Sequence, residues 1–266
     1  MRAAIVLLAG LVFATMSAAG ELAAGWQALA DYHAKQALEV FDHHLSDAGT
    51  AVAREARFGR AVALLDLQPV TPGQVEEARG LLTALADGGT DDPAAGACFF
   101  LGRIAQHHLA EPDAAEAARQ YRQLIAGFEN SVWAQSALSR LALLELYELN
   151  PTWSPAARIA GTEQLLAHAH TPAAQSEVHY AIAEAIFFYR LPAAGALPHL
   201  LAAERLGRLD WTTRMEVLVQ IAELSRLAGD RQQAAQFYRT FLKENPREMR
   251  GYIVRERLAE MEKPGA

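Results

Sequence analysis

Nine histidines are the residues with the most obvious chemistry to offer: His33, His43, His44, His107, His108, His168, His170, His179 and His199. Imidazole nitrogens bind zinc, copper and nickel, and two ligands on one helix face need a spacing of three or four residues. None of the nine has such a neighbour. His43-His44 and His107-His108 are adjacent, so on a helix their side chains diverge by about 100°. His168 and His170 fall at the end of a helical stretch, where a partial positive charge suits the helix dipole. The histidines are therefore expected to be solvated or helix-end residues, and no metal is implied. Other catalytic patterns are missing too. There is no glycine-rich phosphate loop, no GxSxG turn and no Cys–His pair at a recognisable spacing. The carboxylates Glu76-Glu77 belong to a helical charge pattern and read as a solvated face. Cys98, the sole cysteine, lies in AAGACFFLG. It excludes a disulfide framework or a CxxC site and reads as a small buried side chain. The expectation is a non-enzymatic protein without a cofactor.

Bulk composition narrows the partners. The 266 residues are 52% apolar and 21% charged, so a folded core is expected. A net charge of -7 argues against nucleic acid, which calls for a basic face, and gives no attraction to anionic lipid. The first twenty residues, MRAAIVLLAGLVFATMSAAG, carry Arg2, then an uncharged apolar run, then small residues. That is the layout of a secretory signal peptide, with cleavage expected after Ala19 or Gly20. The run is short for a membrane span. The chain is expected to be exported, periplasmic in a Gram-negative bacterium, with no stable membrane insertion after cleavage.

From Glu21 onward the apolar residues recur at three- and four-residue spacing, and no stretch reads as a strand. Thr71-Pro72, Asp92-Pro93, Ser154-Pro155 and Thr171-Pro172 each set a capping side chain before a proline. Thr71 with Gln74 makes a capping box. Gly88-Gly89 and Gly229 suit helix ends. Helices are expected over 22–46, 52–68, 72–87, 93–109, 113–129, 132–149, 155–169, 172–190, 192–206, 211–228, 230–244 and 247–262, with Pro198 either inside its helix or delaying the start. Phe99-Phe100, Phe187-Phe188-Tyr189 and Trp133 are expected in the core. Trp153 and Trp211, at loop-to-helix junctions, read as staples under their loops.

One internal match organises these helices. LGRIAQHHLAEPDAAEAARQY, from Leu101, overlays LVQIAELSRLAGDRQQAAQFY, from Leu218, without a gap at an offset of 117 residues, or three units of 39. Shared positions include Leu101/Leu218, Ile104/Ile221, Ala105/Ala222, Asp113/Asp230, Ala117/Ala234 and Tyr121/Tyr238. A fixed period marks stacked helical hairpins, which bury a continuous core only together. The shared residues are packing residues, so specificity is expected where the copies differ, at Gln106 against Glu223 and Leu109 against Arg226.

These residues resemble the tetratricopeptide repeat family. Residues 215–248 match its pattern through Leu218, Ile221, Ala222, Gly229, Ala234, Tyr238, Phe241 and Pro246. Residues 98–131 match nearly as well, with Glu129 at the position of the closing proline. The resemblance implies an all-α, right-handed α-solenoid of stacked antiparallel helix pairs over 21–262, capped by helix 247–262 and followed by a disordered tail at 263–266. It implies a concave face, built from the first helix of each pair, that receives a protein or peptide. On that basis Glu216, Val219, Gln220, Glu223 and Arg226, with Phe99, Gly102, Gln106 and Leu109, would contact the partner. The expected function is a protein–protein interaction scaffold of the cell envelope. The runner-up is a helical accessory domain of a peptidoglycan-processing or envelope-assembly system, and a metal- or small-molecule-binding periplasmic protein comes third.

Overall fold

The computed structural model describes residues 20, 22–45 and 51–263. The expected leader therefore lies outside the described residues, Gly20 excepted, and so does the expected tail beyond Lys263. Among the described residues the chain is all-helical. Its helices are α1 (Ala23–Ala30), α2 (Ala34–His43), α3 (Ala51–Asp66), α4 (Pro72–Ala86), α5 (Asp92–His107), α6 (Ala114–Gly127), α7 (Val132–Tyr147), α8 (Pro155–Glu163), α9 (Pro172–Phe188), α10 (Ala196–Leu206), α11 (Trp211–Leu227), α12 (Arg231–Glu244) and α13 (Gly251–Glu262). Short 3-10 turns follow α8 and precede α10. Within the described residues no helix is long and apolar enough to cross a membrane.

Most boundaries are set by local hydrogen bonding. The Thr71–Gln74 box forms in both directions, and Ser154 and Thr171 cap α8 and α9 by accepting from Ala157 and Ala174 N–H. Asp113 and Asp230, matched in the internal repeat, cap α6 and α12 by accepting from the N–H of Glu116 and Gln233, each at 2.9 Å. Gly229 ends α11 with φ 84°, a left-handed turn that a side chain would resist.

Several expectations shift. Phe188, expected in the core, is 67% exposed at the end of α9, with its ring against Tyr147 and Tyr189. Asp91, not Asp92, caps α5. Asp92 instead accepts from the Trp133 indole N–H at 3.2 Å. The expected helix 22–46 is two helices, broken at Asp31–His33, where Tyr32 takes φ 61° and His33 N–H donates to Ala28 O at 2.7 Å. No glycine or proline marks this break. It follows from packing, because it lets Phe41 of α2 fold back onto Trp26 of α1, with ring centroids 5.0 Å apart. Pro198 lies in the first turn of α10, where its missing N–H had no partner to lose. Trp153 and Trp211 are 49% and 69% exposed, so neither is a buried staple. Trp211 is the first residue of α11, directly after its Asp210 cap.

The chain packs as two compact units, Met1–Leu141 and Ala142–Ala266, divided within α7. In unit 1, α1 to α6 each pack on the next, and α3 also meets α5. An aromatic cluster joins them. Phe58 lies 5.7 Å from Trp26 and 5.4 Å from Trp133, and Phe99 lies 5.6 Å from Trp133. Such tilted or edge-on pairs suit the ring quadrupoles. In unit 2, α8 to α13 likewise pack in sequence order. Leu218 and Ala222 of α11, Ala234, Tyr238 and Phe241 of α12, and Val254 of α13 form one buried cluster there. Tyr121 and Tyr238 are both fully buried. Beside Tyr121, a side chain at Gly102 would come within 2.5 Å of the ring, so only glycine lets α5 and α6 approach this closely.

Candidate functional site

In unit 2, α11 builds a polar strip. Glu216, Gln220 and Glu223 recur at spacings of four and three and so share one face. Each reaches a different element. Glu216 pairs with Arg250, which stands just ahead of α13 and also binds Glu248 at 2.8 Å. Gln220 hydrogen-bonds Glu184 of α9. Glu223 accepts from the Tyr238 hydroxyl and, at 2.8 Å, from Arg226, with Arg257 of α13 at 3.7 Å. Burial works against the Glu223 carboxylate, yet Tyr238, Arg226 and Arg257 hold it below its ordinary range.

Glu184 differs from the other two carboxylates. It has no cation partner among the described residues. Its Oε1 and the Oε1 of Gln220 are both buried without a donor. Burial pushes the Glu184 carboxyl up, the Gln220 amide opposes that rise, and the Glu216 charge adds to it. The neighbouring phenols respond in turn. Tyr180 and Tyr147 are each pushed up to about 12, first by burial and then by the Glu184 charge, so both stay protonated. A buried acceptor without a donor costs about 1–3 kcal/mol. The arrangement can therefore accept an ammonium, a guanidinium or a peptide N–H.

The expected contact residues divide accordingly. Glu216, Gln220, Glu223 and Arg226 line this strip, while Val219 packs against the buried cluster below it. In unit 1, Phe99 is fully buried, and Gly102 is buried under Tyr121. Gln106 accepts from the Tyr121 hydroxyl at 3.1 Å, and Leu109 is half-buried beyond the end of α5. Gln106 and Glu223, where the two copies differ, thus hold the same place: each accepts from the repeat tyrosine of its own unit. What α5 presents instead is Arg103, with His107 one turn on.

Sequence reasoning passed over Glu184 and Arg103. A signal existed, because each is a single charge inside an apolar run, YAIAEAIFF and FFLGRIA. It also passed over a histidine pair. His179 of α9 and His199 of α10 face each other with Nδ1 atoms 3.0 Å apart, and His199 Nε2 lies 3.3 Å from Glu163. At that distance one ring donates and the other accepts, so the pair holds one proton between the two facing nitrogens. His179 is held down to about 4, mainly by burial and further by His199 and Arg205. Burial also lowers His199, against the pull of Glu163. Among the described residues no three metal-binding side chains come together.

No protein-family model matches this chain, and no curated protein matches it either.

Proposed function

We propose that this chain is a tetratricopeptide-like, right-handed solenoid of antiparallel helix pairs. It serves as a non-enzymatic scaffold of the cell envelope and receives a protein or peptide segment along the first helices of its pairs. Three features support the reading. Neighbouring helices pack in sequence order. The matched units 98–131 and 215–248 share an aspartate cap and a buried tyrosine bonded to the preceding helix. The first twenty residues have the layout of an export signal.

The observation that carries the binding role is the pair of buried acceptors, Glu184 Oε1 and Gln220 Oε1, left without donors on the polar strip of α9 and α11. Native proteins satisfy nearly all buried polar atoms, and a group that the chain leaves open is one a ligand can complete. The complement is a donor, so the partner segment presents a lysine, an arginine or an exposed backbone N–H here.

The test is capture from envelope extract by the mature chain, with a Glu184→Ala, Gln220→Ala double variant alongside. The expected result is a protein partner held by the wild type and lost, by about tenfold or more in affinity, from the variant. Retention of muropeptides with no protein would sink this reading in favour of the peptidoglycan-processing role.

A further inference from the structure

Unit 1 contains a second, oppositely charged group of side chains. Arg103 and His107 stand one turn apart on α5, and His108 follows at the helix end. Arg140 comes from α7. Trp133, two turns before it, lies 5.6 and 5.8 Å from the rings of Phe99 and Phe100, which fixes α7 beside α5. Further along, where α5 carries Arg103 one turn and His107 two turns beyond these rings, the Arg140 charge acts on both and on the Tyr121 phenol of α6.

Among the described residues no carboxylate pairs with the cluster. Among the described residues neither Arg103 nor Arg140 has an ion pair, whereas Arg54, Arg60, Arg214, Arg226 and Arg250 all do. Arg103 Nε is buried with no hydrogen-bond partner. Two guanidiniums near enough for each to feel the other's charge, without an anion between them, repel each other, and burying part of one adds a desolvation cost. Burial depresses the Arg103 guanidinium, and Arg140 adds to the effect. Burial and the two arginines hold His107 down to about 4, so its ring is neutral and has an N–H to donate.

We propose that Arg103 and Arg140, flanked by His107 and His108, form a binding site for a tetrahedral dianion of the phosphate type. Two unpaired positive charges match two negative ones, while a single carboxylate would leave one charge unbalanced. Planar guanidinium forks suit phosphoryl oxygens. The site lies in unit 1 and needs no protein partner, so it stands or falls separately from the scaffold reading.

The test is calorimetric titration of the full chain with inorganic phosphate at fixed ionic strength, with parallel arms of glycerol phosphate and acetate. Saturable phosphate binding with a dissociation constant below about 1 mM is expected. Arg140→Gln should weaken it at least about tenfold, and the exposed Arg79→Gln should leave it unchanged. Arg103→Met should abolish binding yet raise the melting temperature of the ligand-free chain, because it removes a buried unpaired charge. That rise separates a lost site from a lost fold. Equal binding of glycerol phosphate supports a phosphoryl group carried on a larger molecule, and its exclusion supports free phosphate. No saturable binding, binding indifferent to Arg140→Gln, or acetate bound as tightly as phosphate would overturn the proposal.

Discussion

His179 and His199 show how a single contact ties stability to pH. Their facing nitrogens share one proton, so charging both rings sets two cations 3.0 Å apart. Glu163 sits on the far side of His199, and Arg205 adds positive charge near His179. The folded-state value of His179, about 4, lies below the ordinary 6.5. The unfolded chain therefore binds the proton first as pH falls. The stabilising contribution is complete above about pH 6.5 and is lost progressively toward about pH 4. After a discount for solvent screening the loss from this one ring is on the order of 1 kcal/mol. Denaturant unfolding between pH 7 and pH 4.5 should show a shallower fall for His179→Gln than for the wild type. Parallel curves would mean that the pair is solvated and shares nothing.

At the scale of the element, the repeat is written in caps and buried rings. Asp113 and Asp230 each accept from the N–H three residues on and start the second helix of a matched unit. Asp113→Ala and Asp230→Ala should each cost about 1 kcal/mol, with Asn in place of Asp recovering most of it. Chemical denaturation measures this directly, and a cost near zero at both sites would show that tertiary packing alone fixes the starts of α6 and α12. The two aspartates were legible in the sequence as a matched pair, but their capping role was not read from it, although a cap is decided within four residues and those at Thr71, Ser154 and Thr171 were. The tyrosines were legible as a matched pair too, because their spacing from Asp113 and Asp230 repeats without a gap. The break at Asp31–His33 was not legible. It depends on where Phe41 finds Trp26, and Tyr32 in a left-handed conformation carries no composition signal. The candidate sites were half legible for the same reason. The family resemblance pointed to Glu216, Gln220 and Glu223 on the first helix of a pair. Which of their oxygens would lack donors depended on Glu184, on another helix, and the arginine cluster depended on how α7 lies against α5.

For the molecule as a whole, the governing fact is that contacts run mainly between neighbours in sequence. A chain built this way has stability that is nearly a sum of local interfaces, and damage stays close to where it is made. Phe41 offers a sharp test. It is fully buried, touches Trp26, and fills the space beside Gly25 and Gly59 near the start of unit 1. Truncation to alanine removes most of a buried ring and should cost about 3–5 kcal/mol locally. In hydrogen exchange on the Phe41→Ala chain, the amides of α1 to α4 should lose protection by about a hundredfold or more. Those of α11 to α13, gathered on the Leu218–Tyr238 cluster, should exchange as in the wild type. A uniform loss across both units would mean that the chain unfolds as one cooperative body. Helix α7, which runs through the division at Leu141–Ala142, would then be the element that transmits the loss.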